Sequence, residues 1–303
     1  MINVIGDIII DEYWQGRTTR LSPEAPVPIV ELGAKNVCLG GAANVYANIK
    51  SLTDSVNLYG MAQKEYLQYF DNTKHIVNVS KMPVKIRVLS DSHYVTRIDD
   101  EEIMDNNLLM DHFVSSSQEW KRGDIFFISD YAKGTIASPS GIISYLNIQN
   151  QRSIVDPKVC LSEYKRAWIL KPNKKEFEAF AGKSENIKGI KQKAIEARKE
   201  LEVDHLIITL SEDGVLWVSE DTQLHIPTQA KSVYDVTGAG DTFGAVLAYA
   251  LDNNYDMESA LKLANKAAAK AVSKQGTYVI QPRDIKWKLF LQMVVLIYCI
   301  KVM

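Results

Sequence analysis

Short apolar runs recur along the chain, each bounded by polar or turn residues: "NVIGDIII" at 3–10, "DIFFISD" at 124–130, "RSIVD" at 152–156, "RAWILKPN" at 166–173 and "HLIITL" at 205–210. Runs of this length and composition predict strands buried on both faces. Between them lie windows with helical spacing, at 42–52, 138–147, 174–181 and 188–201. The alternation predicts an α/β fold, a mostly parallel sheet flanked by helices. Other strand signals come in pairs. "VKIRVLS", with apolar Val84, Ile86 and Val88, is followed by "DSH" and then "YVTRID", which predicts a hairpin with one buried face. "GVLWVS" and "QLHIPT" predict a second hairpin. "APVPIVEL" carries Pro26 and Pro28, which lack a donor N–H, so it reads as an edge strand or extended arm. With 84–98 it would form a small sheet inserted into the main domain. Late in the chain, Asp256 is placed to cap "MESALKLANKAAAKAVSK". Leu261, Ala264, Ala268, Ala271 and Val272 lie on its apolar face, Lys270 and Lys274 suit its C-terminal end, and Gly276 would stop it.

Composition narrows the class. The 303 residues are 46% hydrophobic and 24% charged, as in soluble globular proteins. A formal charge of −2 gives no reason to expect nucleic acid or an anionic membrane as the main partner. Cys38, Cys160 and Cys299 are far apart, form no CxxC pair, and suggest buried thiols in a reducing compartment. The five histidines show no HxH or HExxH spacing, so no histidine-based metal site is expected. "MINVIGDIII" reads as a first strand without a basic leader or cleavage site. The tail "LFLQMVVLIYCIKVM" is short for a membrane span and reads as a terminal helix or strand on the core.

Three stretches carry candidate chemistry. "DVTGAGDTFGA" sets Asp241 directly after a glycine turn, ahead of an apolar helical run. The N–H groups of Ala239, Gly240 and Asp241 would face an anion, and glycines permit close backbone approach. Phosphoryl transfer needs this pairing of anion donors with a base for the attacking hydroxyl. An ordinary helix cap is the equal alternative for Asp241. In "GDIIID" with "GGAANV", Asp11 ends the first strand, Gly40 and Gly41 precede a helix, and Asn44 lies in its first turn. Aspartate and asparagine suit sugar hydroxyls. A strand-end Asp and a plain glycine turn explain the same residues. In "KPNKKEFEA", Asn173 and Glu176 share a helix face. They would hold a magnesium-bound water or a phosphate oxygen, or else form a capping box. Other matches fail. Phe177 stands where a Walker loop ending at "GKS" needs glycine. The GxGxxxG of Gly238, Gly240 and Gly244 comes too late for a dinucleotide fold, and the YxxxK at Tyr46–Lys50 precedes it in the wrong order.

Together "GGAANVYANIKSL", "NKKE" and "DVTGAGDTF" resemble the motifs of the ribokinase-like (PfkB) carbohydrate kinase family, in order and spacing over nearly the whole chain. "GDIIIDEYWQGRTTRLSPEAPVPIVE", "KIRVLS", "TRID" and "SDYAKG" are closer still to its heptose-7-phosphate kinase branch. The resemblance implies a ribokinase-like fold, one kinase domain over 1–303, and a β lid from insertions near 12–39 and 84–99. No HxGH motif marks an adenylyltransferase domain. It implies transfer of the γ-phosphoryl of ATP to the 1-hydroxyl of D-glycero-β-D-manno-heptose 7-phosphate. The alternatives are another sugar or a nucleoside as acceptor, or a degenerate sugar-binding paralogue. By this resemblance Asp241 would be the base, and Gly238, Ala239 and Gly240 the anion hole. Asn173 and Glu176 would organise Mg²⁺ and phosphates. Asp11, Gly40, Gly41 and Asn44 would bind the sugar. Thr209, Ser211 and Gly214 would lie along the nucleotide, with Asn265 near adenine. Asp235 and Thr237, with Gly276 nearby, match positions for a monovalent cation such as K⁺. Arg87, Arg97 and Lys133 are the candidates for the sugar phosphate, Arg by bidentate contact and Lys as a point charge. A cytoplasmic homodimer paired through the lid is expected. Two departures stand out. The segment between Gly60 and Met82 is short and lacks the usual GxDxxG, which predicts a reduced helix, and the tail after Gln281 is apolar.

Overall fold

The structure is a computed structural model and describes residues 1–285 apart from Ser92, Lys231 and Gln275. The apolar tail and Cys299 lie outside the described residues. The chain opens with β1 (Ile2–Gly6), then a long hairpin of β2 (Ile8–Leu21) and β3 (Pro28–Gly41) leads into α1 (Ala42–Lys50). Next come β4 (Val56–Ala62), β5 (Ile76–Asn78), the hairpin β6 (Val84–Ser90) and β7 (His93–Asp100), and α2 (Asn107–Ser115). They are followed by β8 (Ile125–Ser129), α3 (Pro139–Ile148), β9 (Arg152–Asp156), β10 (Ile169–Leu170), α4 (Lys174–Ala181) and α5 (Ile187–Leu201). The last elements are β11 (His205–Thr209), β12 (Val215–Val218), β13 (Gln223–Ile226), α6 (Ala239–Asp252), α7 (Met257–Ala271) and the short α8 (Pro282–Ile285).

Nine strands form the main sheet in the order β13-β12-β11-β10-β9-β8-β1-β4-β5. All pairs are parallel except β11–β12 and β12–β13. The central strands are apolar without alternation because both faces are covered: Val4, Ile5, Phe126, Phe127, Ile154 and Ile207 are all fully buried. From β1 the chain goes on to β4 on one side, while β8 lies on the other. That reversal opens a crevice at the carboxyl ends of β1 and β8, the usual place for a ligand in such sheets.

A separate four-stranded sheet, β3-β2-β6-β7, rises from this edge. Pro28 begins β3 on an edge, as its missing donor requires. Several expectations need correction. "NVIGDIII" is two strands, broken at Asp7. Gly6 packs so closely on β8 that a Cβ there would lie 2.0 Å from the Ser129 carbonyl oxygen, and beyond Asp7 the chain leaves the main sheet. Asp11 therefore does not end the first strand; it sits inside β2, opposite Cys38. The β6–β7 hairpin has no continuous buried face, because β7 is exposed along its whole length and only Val84 and Leu89 of β6 are buried. Cys160 is exposed and Cys38 half-buried, so neither is a core thiol. α7 carries the expected cap, with Asp256 accepting from the Ser259 N–H at 2.9 Å, but it ends at Ala271, well before Gly276. The short segment after β4 holds a 3₁₀ turn, Lys64–Tyr69, in place of a full helix.

Candidate active site

α6 points its N-terminus into the crevice. Gly238 caps it with φ +73°, and a Cβ there would meet Asn44 Nδ2 at 2.7 Å, so the turn admits only glycine. Asp241 lies two residues into the helix and is 4% exposed. Its Oδ2 accepts from Asn44 Nδ2 at 2.8 Å, and its Oδ1 accepts from the Tyr131 hydroxyl at 2.8 Å. The helix-cap alternative fails, because this side chain bonds two distant elements and none of its own backbone. Burial pushes the Asp241 carboxyl up to about 6, with nearby Asp156 adding to the rise. Asn44, Tyr131 and Lys171 pull the other way.

The anion donors differ from expectation in one member. The Ala239 N–H turns back onto the Val236 carbonyl at 3.3 Å, closing a tight turn. The N–H groups of Gly240 and Asp241 take no partner among the described residues and remain available at the helix mouth.

Asn44 is fixed by its own helix: Asn48 Nδ2 donates to its Oδ1 at 2.9 Å, which turns the amide donor toward Asp241. The glycines before α1 are steric requirements. A Cβ on Gly40 would lie 2.6 Å from Asp11 Oδ2, and Gly41, at φ +56°, would place one 2.4 Å from the Asp7 carbonyl oxygen. Asn44 thus contacts Asp241 directly, whereas Asp11 is ion-paired with Arg87.

A cavity of about 220 Å³ opens beside Asp241. Asn173, Glu176, Lys171, Asp156 and Thr209 line it, together with Tyr131, Gly238 and Gly240. The capping-box reading of the "NKKE" pair holds. Asn173 Oδ1 accepts the Glu176 N–H at 2.9 Å and Glu176 Oε2 accepts the Asn173 N–H at 2.8 Å, a capping box whose members also line the cavity. Burial raises the Glu176 carboxyl above its ordinary value. Lys171 is buried, with Nζ 2.9 Å from Asp156 Oδ2.

The remaining predicted residues are placed as follows. Ser211, at φ +53°, and Gly214, at φ +88°, form the turn after β11, next to Thr209 but off the cavity wall. Asn265 Nδ2 donates to the Pro227 carbonyl at 2.8 Å, tying α7 to the segment after β13. Asp235 Oδ1 accepts the Thr237 N–H at 2.9 Å and hydroxyl at 2.7 Å, and its Oδ2 accepts the Gly276 N–H at 2.9 Å. Burial opposes the charge on Asp235, yet these donors from Thr237 and Gly276 hold its carboxyl below the ordinary value.

The three phosphate candidates are not free cations. Arg87 forms an ion pair with Asp11 and lies over the Tyr13 ring, 5.2 Å from its centroid. Arg97 is bidentate to Asp99 at 2.8 and 2.7 Å, and Lys133 pairs with Glu101. None of the three lines the cavity. Arg87 and Arg97 are cross-strand partners on one face of the sheet.

Sequence reasoning did not single out Tyr131, Asp156, Lys171 or Asp7. "SDYAKG" and "KPN" were visible as motifs, but a tyrosine reaching a carboxylate 110 positions away leaves no local trace.

The profile of the pfkB family carbohydrate kinases matches residues 1–284. Among curated relatives, the bifunctional protein HldE of Psychromonas ingrahamii is 37% identical over 297 residues, 93% of this chain and 62% of its own length. HldE of Actinobacillus pleuropneumoniae is 36% identical over 295 residues, with the same coverage of 93% and 62%. The chain thus spans about 62% of the length of the curated relatives it matches. Among solved structures, phosphofructokinase-2 of Escherichia coli in complex with potassium superposes with a TM-score of 0.77 at 19% identity, covering 97% of this chain and 99% of that one. Ribokinase of Thermotoga maritima gives 0.74 at 20% identity, covering 96% and 99%. These likenesses establish the ribokinase-like fold.

Proposed function

Because the chain belongs to the pfkB family of carbohydrate kinases, we propose that it transfers the γ-phosphoryl group of ATP to the 1-hydroxyl of D-glycero-β-D-manno-heptose 7-phosphate. The observation that carries this reading is Asp241: a buried carboxylate held by two donors, beside two open N–H groups at a helix mouth.

In this reading Asp241 takes the proton of the acceptor hydroxyl as that oxygen attacks the phosphoryl group. A carboxyl near 6 is mostly ionised at neutral pH yet more basic than an exposed one, which suits a general base. The Gly240 and Asp241 N–H groups and the positive end of α6 stabilise the charge of the moving phosphoryl. One such donor is worth about 3–4 kcal/mol in comparable sites. Lys171 stands beside the glycine turn, 3.8 Å from where a Gly240 Cβ would lie, its charge held by Asp156. Orientation of the two substrates in one crevice supplies roughly 7–11 kcal/mol of barrier lowering.

The donor set fits magnesium held through water. Asp156, Asp130 and Glu176 border the cavity, but no three such side chains among the described residues converge to bind an ion by themselves. Asn173 and Glu176, with Asp156 and Asp130 nearby, would hold Mg²⁺, and the ion would supply positive charge against that of the phosphates. Asp235, Thr237 and Gly276 form one bonded unit that supports a monovalent-cation site in the adjoining loop.

The four-stranded sheet is proposed as a lid that excludes water from the transfer. Its inner face carries Asp11, Tyr13 and Arg87, and Arg87 would exchange Asp11 for the sugar phosphate. Its other face carries Trp14, Val37, Ile86, Val88 and Ile98, partly covered, around Glu12, whose carboxylate accepts from Trp14 and Tyr66. That face suits a second copy of the chain, giving a lid-to-lid homodimer. No helix among the described residues is long and apolar enough to cross a membrane; a cytoplasmic site of action is part of the proposal. An ADP-release assay over a panel of sugars and sugar phosphates tests the reading. Turnover that depends on the 7-phosphate of a heptose supports it, and preference for an unphosphorylated sugar or a nucleoside replaces it.

A further inference from the structure

Two donors hold Asp241, and both lead back to Asp7, a residue the proposed chemistry leaves without a role. Asp7 stands where the chain leaves β1 and is fully buried. Its Oδ2 accepts the backbone N–H groups of Tyr131 at 2.8 Å and Lys133 at 3.1 Å, and its Oδ1 accepts that of Thr135 at 3.0 Å. Its carbonyl accepts the N–H of Ala42, the first residue of α1, at 2.9 Å. Its own N–H donates to the Ser129 carbonyl at 3.1 Å, joining β1 to the end of β8.

The loop after β8 depends on this anchor. Ala132 sits at φ +56° and Gly134 at φ +106°, so successive N–H groups turn inward. The Ala132 N–H goes to Asp130 Oδ1 at 2.7 Å; the other three go to Asp7. Inward N–H groups without an acceptor would be left buried and unpaired, which is costly.

We propose that Asp7 is a positioning residue that sets the catalytic base from both sides. Its carboxylate shapes the loop that lays the Tyr131 hydroxyl on Asp241 Oδ1, and its carbonyl starts the helix whose Asn44 holds Oδ2. The inference rests on the reading of Asp241 as the base, but its test needs no substrate. The groups facing Asp241 are Asn44 from α1, Tyr131 from the loop after β8, Asp156 at the end of β9 and Lys171 just past β10. Asn44, Tyr131 and Lys171 favour the charged form; Asp156 opposes it. Loss of one donor to a charged group, worth about 1.5–3 kcal/mol, moves the titration up by roughly one to two pH units. Asn at position 7 would disturb the loop because an amide offers one acceptor oxygen and turns its NH₂ donors on the remaining N–H groups.

The experiment is a carbon-detected NMR titration of side-chain carboxyls in ¹³C-labelled protein, with Asp241→Asn assigning the resonance. Asp241 should titrate near 6 in the wild type, and one to two units higher in both Tyr131→Phe and Asp7→Asn. Tyr131→Phe keeps every main-chain bond to Asp7, so it tests the hydroxyl alone. An unshifted Asp241 in that variant overturns the proposal, including where Asp7→Asn fails to fold. A shift in Tyr131→Phe with none in folded Asp7→Asn overturns the role of Asp7. Failure of the kinase reading would appear separately, as a wild type without turnover.

Discussion

The floor of the crevice and the sheet above it are built on opposite principles. On the floor, Asp7, Asn44 and Asp241 are buried, and the groups that hold the Asp241 carboxylate come from other elements. In the lid, the charges pair with near neighbours on the same small sheet, as Arg97 does with Asp99, and β7 is exposed throughout. Exposed pairs of that kind contribute about 0–1 kcal/mol and exchange readily, whereas an unpaired group on the floor costs several times more. The floor is therefore suited to hold one geometry, and the exposed outer strand of the small sheet to trade partners; the largely buried Arg87–Asp11 pair would give up Asp11 only to an anion that replaces its charge.

The largest effect is expected on the floor. Asp241→Asn should lower kcat by about 10³-fold or more, as loss of a general base requires, with little change in ATP affinity. The same substitution should stabilise the fold. A carboxyl whose folded-state pKa lies above its unfolded value binds its proton more tightly when folded, so its ionisation lowers stability as pH rises from about 4 to about 6. The shift from 3.8 to about 6 costs roughly 3 kcal/mol at neutral pH. Asp241→Asn should then raise Tm by several degrees at pH 7.5 and give little gain near pH 4. An unchanged Tm at both pH values would mean that Asp241 is not a strained buried charge.

Next in size is the lid's cation. Arg87→Ala should raise KM for the sugar phosphate roughly 10- to 100-fold while KM for ATP changes little. Equal changes in both would remove Arg87 from the sugar site and blur the distinction between the two regions. A smaller effect is expected from pH. kcat/KM should climb about tenfold per unit below 6 and level off above it, since only the ionised carboxylate accepts the proton. A profile flat from pH 5 to 8 would contradict the assignment of the base. Smallest is the effect of Ile98→Lys on the outer lid face, which should weaken self-association in sedimentation experiments and leave the ADP-release rate within about twofold. Unchanged association would place the dimer surface elsewhere.

The two regions were also unequally legible in the sequence. The parallel sheet followed from apolar runs, because strands buried on both faces cannot hide their composition. The glycine turn and Asp241 stood out because a tight backbone approach leaves glycines at fixed spacing. A small separate sheet was expected, yet the depth of Asp11 within β2 was not, since the chain changes sheets at Asp7 without any break in its apolar run. The bonds that orient Asp241 were hidden for a different reason. Asn44, Tyr131 and Asp241 meet only after β1, β8 and α6 assemble, over separations of 110 and 197 positions. Lys171 was hidden likewise, a charge at the end of a two-residue strand whose partner lies on β9. Ala239 was misjudged as an anion donor because the turn's own closure onto Val236 cannot be read from glycine spacing.

The central claim is that Asp241 takes the proton of the acceptor hydroxyl. Its most direct test is a single-turnover experiment with saturating ATP, Mg²⁺ and heptose 7-phosphate, comparing wild type and Asp241→Asn by ³¹P NMR of the product. With Asp241 as the base, a phosphate appears on the sugar 1-oxygen with the wild type, and none on the same timescale with an Asp241→Asn protein that still binds ATP. Transfer by Asp241→Asn at a rate near that of the wild type would contradict it.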